Sequence, residues 1–314
     1  MFGLQRRRPE VSPYEAARCL RLSEAEIVAA LASGGGGVPL RCESDPILAA
    51  IGALKPVTAI TRNRYAVLES SNGFVCEPRP STWRFAFALR TSTPEGDRCS
   101  IQLFGADGAA VHAVFTKRGS DLRMFDELVA LLAPSPLSWA PPVIEMIDRG
   151  ARLKSRVDIE RFRDAVALAQ DEREFADLLE STAGTRERGL SLAGIDVARR
   201  VGPNAHRRAI AQAIEHGLQL TCTVVNRGMV HTLTMNVPRP LVTPPWYELF
   251  GKNQALHLDE SGIASAWVVR IPVVTGSVDT LELFDRQGAL VLQLRGSLPG
   301  QPRSHTWAEL LSSL

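Results

Sequence analysis

Apolar and polar residues alternate through Ser100-Ile-Gln-Leu, the run breaks after Phe104 at Gly105-Ala-Asp-Gly, and a second strand-like segment opens with Ala109-Ala-Val. Strand-like runs on both sides of an Asp-Gly turn predict a β-hairpin. The same pattern returns as Thr280-Leu-Glu-Leu-Phe-Asp-Arg-Gln-Gly-Ala-Leu-Val, with the turn at a closely similar offset. Upstream, Arg62-Asn-Arg-Tyr-Ala-Val is echoed by Val225-Asn-Arg-Gly-Met-Val. Similarity at so long a period predicts two copies of one domain, with the strand pairs that end at Phe104 and Phe284 equivalent.

The helical segments repeat too. Asp45-Pro-Ile-Leu-Ala-Ala-Ile-Gly-Ala-Leu has helical apolar spacing, with Asp45 as the expected cap before a first-turn proline. Its counterpart runs from Asn204 to His216, again just ahead of a strand. Amphipathic helices are expected over Asp121–Leu132 and Ser304–Leu314, each opened by a residue suited to N-capping. The plan is helices, antiparallel sheet, helix, twice over: an α+β chain of two pseudo-duplicated lobes. Ala133-Pro-Ser-Pro-Leu-Ser-Trp-Ala-Pro-Pro carries four prolines and reads as a stiff linker. The expected boundary lies near residue 140, dividing 1–140 from 141–314. In the second copy Trp267, Leu283 and Phe284 are expected to be buried.

Composition narrows the classes. The 314 residues suffice for two domains at ~100–200 residues each. A net charge of +2 creates no field to draw in nucleic acid or an anionic membrane. No apolar run approaches the ~20 residues of a membrane span, and the arginine-rich start lacks the apolar stretch of a secretion signal. Five scattered cysteines with no Cys-x-x-Cys pair fit a reducing cytoplasm better than a disulfide framework or zinc ribbon. Gly34-Gly-Gly-Gly has neither a preceding strand nor a Lys-Ser/Thr, so it reads as a loop rather than a phosphate cradle.

Val225-Asn-Arg-Gly-Met-Val, Ala255-Leu-His-Leu, Ala264-Ser-Ala-Trp-Val-Val-Arg and Leu281-Glu-Leu-Phe-Asp, with Arg62-Asn-Arg-Tyr-Ala-Val and Ala110-Val-His in the first half, carry a resemblance. Together they resemble the HemS/ChuS/PhuS family of bacterial cytoplasmic haem-handling proteins. The resemblance implies a pseudo-duplicated fold with two large antiparallel sheets. It also implies a haem cleft formed by the second sheet and the helical segment before it, and a role in accepting haem and passing it on or assisting its breakdown. The family's axial histidine, in a pattern like Asp-x-His-x-Phe-x-x-Leu-Leu, falls at Arg173 in Asp171-Glu-Arg-Glu-Phe-Ala-Asp-Leu-Leu. A guanidinium offers iron no lone pair, so the family's axial bond cannot form there. The family's distal arginine is matched by Arg186 and its pocket glutamine by Gln293, while a pocket tyrosine is replaced by Arg295. Ile271 and Leu298 stand where the family has a lysine and an arginine, and the Leu-Asp-Leu-Arg-like segment of the first copy is absent.

Arg186 and Arg295 are candidates to hold propionates or an iron-bound water, and Arg295, if strand alternation aims it inward, needs an anionic partner. Arg173 reads as part of a surface charge cluster with Asp171, Glu172 and Glu174. His231 is the candidate substitute iron ligand, His257 reads as a structural histidine, His112 lies away from the expected cleft, and His206 and His216 read as solvated. No His-Glu-x-x-His, nucleophile elbow or paired catalytic constellation is present. The leading reading is haem binding and transfer with an altered coordination site. The alternatives are a binding or regulatory module for another planar or anionic small molecule or a protein partner, and, more weakly, a haem-degrading enzyme.

Overall fold

The structure is a computed structural model and describes residues 13–72, 74–93, 96–135, 141–145, 157–274, 276–296 and 304–314. The arginine-rich start, half of the proline-rich linker including the expected boundary at 140, and Leu298 lie outside the described residues. The first half of the chain contains α1 (Pro13–Leu20), α2 (Glu24–Leu31), β1 (Gly37–Leu40), α3 (Ser44–Ala53), β2 (Val57–Arg62), β3 (Ala66–Ser70) and β4 (Phe74–Pro78). It continues through β5 (Trp83–Thr93), β6 (Gly96–Gly105), β7 (Ala110–Thr116) and α4 (Leu122–Leu132). The second half opens with α5 (Ile159–Leu168), α6 (Glu172–Ala183), α7 (Arg186–Ala193), β8 (Ala198–Val201), α8 (Ala205–Glu215), β9 (Gln219–Val225) and β10 (Met229–Asn236). Then come β11 (Leu241–Thr243), β12 (Trp246–Phe250), β13 (Gln254–Asp259), β14 (Ser265–Val273), β15 (Gly276–Phe284), β16 (Leu290–Arg295) and α9 (Ser304–Ser312).

The strands form two large antiparallel sheets. One has nine strands in the order β1-β5-β6-β7-β2-β3-β13-β12-β11, the other seven in the order β4-β10-β9-β16-β15-β14-β8. The chain divides into two compact units: residues 1–62, 69–148 and 226–231 make the first, and residues 63–68, 149–225 and 232–314 the second. In the first, Phe87 and Phe104 on one sheet face pack edge to face under α2, whose Ala25, Val28 and Ala29 are buried. On the other face Ile101, Leu103 and Val114 meet Ile47 and Ala50 of α3 and Phe125, Leu128 and Leu132 of α4. In the second unit Phe162, Phe175, Leu179 and Leu190 of α5–α7 cover Val269, Ile271 and Phe284, while α9 packs on β15 from the C-terminal side of the chain. Each buried Val, Leu, Ile or Phe among these contributes about 1.5–3 kcal/mol of transfer free energy.

The two hairpins agree in detail. Both carry a register shift at the phenylalanine, between Leu103 and Phe104 and between Leu283 and Phe284. The equivalent turn alanines Ala109 and Ala289 each donate their N–H to an aspartate, but from different turn positions, Asp107 two residues before and Asp285 four residues before. The asparagines of the paired Asn-Arg segments match as well. Asn226 Nδ2 donates to the carbonyls of Val111 and Arg62 at 2.7 and 2.9 Å in the first unit. Asn63 Nδ2 donates to the carbonyl of Val291, the counterpart of Val111, at 2.8 Å in the second unit. Leu283 and Phe284 are fully buried, whereas Trp267 is half-buried and donates its Nε1–H to Glu187. At α3 the expectation is corrected: the cap position is Glu43, and Asp45 lies inside the first turn, where its charge favours the helix dipole. The glycine run Gly34–Gly36 follows α2 and is kinked at Gly35, whose φ of 89° is a left-handed backbone that glycine adopts at no steric cost.

Candidate functional site

The second unit gathers three of the residues singled out above. Gln293 and Arg295 are two apart on β16, so both point to the face that α6 and α7 cover. Across the ladder Gln293 pairs with Glu282 of β15 and with Thr223 of β9, and Arg295 pairs with Thr280 and Thr221. The polar face extends onto β10, where Thr232 and Thr234 hydrogen-bond Thr223 and Thr221. Two polar residues on the same face of each of four adjacent strands, buried at Thr221, Thr223, Thr280, Glu282 and Gln293 and opening to solvent at Thr234, are uncommon where a sheet face ordinarily carries apolar side chains.

Arg186 is the first residue of α7, whose cap is Thr185 accepting from the Arg188 N–H. A Cβ on Gly189 would lie 2.8–2.9 Å from Leu179, so glycine there lets α7 close onto α6. That approach sets the Arg186 guanidinium against the Phe175 ring and, through Nε and Nη2, onto both oxygens of Glu282 at 2.8 and 2.7 Å. Burial works against the charged guanidinium, but the carboxylates of Glu282, Glu172 and Glu180 together outweigh it and raise the Arg186 pKa above its usual value. Gln293 Nε2 then donates to Glu282 at 3.1 Å and to Glu172, the first residue of α6, at 3.0 Å. Both partners are carboxylates, which fixes the amide with its NH2 toward them. Glu172 in turn accepts from Arg295 Nη1 at 3.3 Å. The result is a hydrogen-bonded chain, Arg186–Glu282–Gln293–Glu172–Arg295, with a cation at each end and two carboxylates bridged by a neutral amide, linking two helices to the sheet. Arg186 and Glu282 are 5% and 0% exposed, Arg295 and Glu172 21% and 40%, so the chain runs from the core to solvent.

Arg173 follows Glu172 on α6 but is exposed, beside Asp171, Glu174 and Asp177 around a shallow depression of about 380 Å³. Among the described residues it forms no hydrogen bond or ion pair. His231 lies elsewhere, in the first unit. It is fully buried, its Nε2 is 2.8 Å from Ser70 Oγ, and its Nδ1 is 3.1 Å from Thr61 Oγ1, which also meets His112 Nδ1 at 2.8 Å. Burial lowers the pKa of His112 to about 4 and, with the nearby His112, that of His231 to about 3, so both rings are neutral. A bond from His231 to iron would require it to give up Ser70 or Thr61.

His206 is not solvated as its basic helix suggests. It is fully buried, bonded through Nε2 to Glu260 at 2.7 Å and set edge-on to Tyr247. His257 is held by Glu248 at 2.6 Å. Glu172 and Glu282, which organise the site, were not apparent from sequence; the visible signal was the polar period-two run shared by β9, β10, β15 and β16. All five cysteines are free thiols, and burial pushes Cys222 up to about 12. Among the described residues no group of His, Cys, Asp and Glu is arranged to hold a metal ion, and no helix is long and apolar enough to cross a membrane.

Comparison with known proteins agrees with this architecture. The chain is 30% identical to the hemin transport protein HemS of Yersinia enterocolitica, covering 95% of this chain and 91% of that one. It is 29% identical, with the same coverage, to the hemin transport protein HmuS of Yersinia pestis. Among solved structures, holo-PhuS, a heme-binding protein from Pseudomonas aeruginosa, superimposes with a TM-score of 0.87 at 29% identity, covering 98% of this chain and 94% of that one. The heme-degrading enzyme ChuS of Escherichia coli O157:H7 gives 0.87 at 26% identity, with 98% and 95% covered. Residues 77–132 and 184–314 match the family described as the haemin-degrading HemS.ChuX domain, and α6 with Arg173 falls between the two matched stretches. With most of its length matched and its two-sheet fold shared, the chain belongs to the HemS/ChuX family of haemin-handling proteins.

Proposed function

We propose that this chain binds haem and passes it on in the bacterial cytoplasm, at a site in which histidine coordination from α6 has been lost. The observation that carries the reading is the near full-length likeness to hemin transport proteins, together with three site positions, Arg186, Gln293 and Arg295, gathered on one sheet face. We read residues 1–140 and 141–314 as copies of one domain, with the haem region in the second.

The residues fit the carboxylate end of haem better than its iron. Arg295 and Arg173 are accessible cations, and the Thr221–Thr234 and Thr223–Thr232 pairs present hydroxyls along the same face. In the second unit, among the described residues, His206 and His257 are held by glutamates and His216 caps the exposed end of α8, so none accompanies Arg186, Gln293 and Arg295. The donor set therefore does not fit an imidazole-ligated haem, and no coordination step is assigned. A second reading, a module for another planar anionic molecule, is favoured by that same combination of cations without an iron ligand.

A haemin titration followed at the Soret band tests both. Wild type is expected to bind without the spectrum of a coordinated imidazole. Arg173→His, which restores the family's ligand type on α6, is expected to gain that spectrum and bind more tightly. No binding by wild type, and none gained in a folded Arg173→His variant, would transfer the assignment to the second reading.

A further inference from the structure

The charge chain contains two ion pairs of very different character, and the difference identifies which cation a ligand can use. Arg186 gives two hydrogen bonds of 2.7 and 2.8 Å to Glu282, both groups are buried, and Gln293 adds a third bond to the same carboxylate. An incoming carboxylate could take Arg186 only by leaving Glu282 buried without its cation, which the low-dielectric interior strongly opposes. Arg295 meets Glu172 through one contact of 3.3 Å, and both groups reach solvent. A pair of that kind is held weakly and exchanges partners with little resistance. Glu172 is also tethered from its other oxygen by Gln293, which keeps the carboxylate close to Arg295.

We propose that Glu172 stands in for a ligand carboxylate on Arg295, and that binding of a planar dicarboxylate such as an anionic tetrapyrrole displaces it, while Arg186 stays paired with Glu282 as a positioning residue. This rests on the haem reading above. Glu172 opposes binding twice: it neutralises the receiving guanidinium, and its own charge repels the incoming carboxylate. The ligand's carboxylates therefore compete with an internal carboxylate, and Glu172 sets how tightly the site holds its cargo.

The experiment compares haemin with haemin dimethyl ester, whose carboxyl groups are capped, in wild type, Glu172→Gln, Arg295→Gln, the double variant and Asp177→Asn. Glu172→Gln is expected to tighten haemin about three- to tenfold and to leave the ester unchanged. Arg295→Gln is expected to weaken haemin by a similar factor, and in its background Glu172→Gln should give no gain. Asp177→Asn removes one exposed acid from the same helix and should have little effect. Equal changes for haemin and its ester, or an equal gain from Asp177→Asn, would overturn the proposal, since a general charge effect would then suffice. If wild type binds neither ligand, the haem reading fails and this inference with it. If both bind and Glu172→Gln makes no distinction between them, only this inference fails.

Discussion

Each unit buries a polar network, and the two are built on opposite principles. The first unit joins Ser70, His231, Thr61 and His112 into an uncharged chain closed off from solvent. The second joins two arginines and two glutamates through an amide, and one end emerges at the surface. The neutral network avoids the cost of desolvating charge but depends on both rings remaining unprotonated. The charged network depends on every charge keeping its partner. A closed neutral chain serves packing and strand register; a charged chain with an open end can also exchange a partner.

The sharpest way to break this contrast is to remove one charge from the buried pair. Arg186→Met should cost about 3–5 kcal/mol in urea unfolding, because Glu282 is left buried without a cation. Arg186→Met/Glu282→Leu should recover most of that loss, and a single variant close to wild type would show that the pair is not desolvated. Acidification should act on the other network. The folded-state pKa values of His112 and His231 lie below the ordinary value, so the unfolded chain takes up protons first as pH falls. Their contribution is fully present above pH ~6.5 and is lost as pH falls toward about 4 for His112 and about 3 for His231, the loss reaching about 2 kcal/mol per histidine at pH 5. Urea midpoints at pH 7.5 and pH 5 should differ less in His231→Gln than in wild type, and equal differences would remove the histidines from the explanation.

Asn63→Ala and Asn226→Ala test whether the repeats are energetically equivalent. Each should cost about 1–3 kcal/mol by leaving buried carbonyls unpaired, and the two costs should match to within about 1 kcal/mol. The smallest effect belongs to the open end: Arg295→Gln should change stability by less than about 1 kcal/mol, because its ion pair is partly solvated. A larger loss would make Arg295 a structural residue.

The duplication was legible because hairpins and Asn-Arg segments are local signals: a turn and the strands beside it sit within a dozen residues. The need of Arg295 for an anionic partner was legible from strand alternation. The identity of that partner was not, since Glu172 stands 123 residues earlier, on a helix whose acidic first turn also satisfies its dipole. Glu282 reads as the solvated face of an alternating strand, and only α6 and α7 packed over it make it internal. His206 misled for the same reason: the arginines beside it suggest an exposed face, while Glu260 and Tyr247, distant in sequence, bury it. Long-range pairing decides each of these, and periodicity carries no information about it.

The paired asparagines bear on how this protein is made. Residues 226–231 complete the first unit, with Asn226 capping the carbonyls of Arg62 and Val111 and Trp83 Nε1 donating to the carbonyl of Gly228. A nascent chain that has emerged only as far as residue 148 therefore lacks a piece of its own N-terminal unit, and Arg62, Val111 and Trp83 are without these partners until residues 226–231 have been synthesised. Completion of the first unit thus waits on residues from the second half, and the interval of translation between residues 148 and 231 is when an unfinished first unit is exposed to chaperones and proteases.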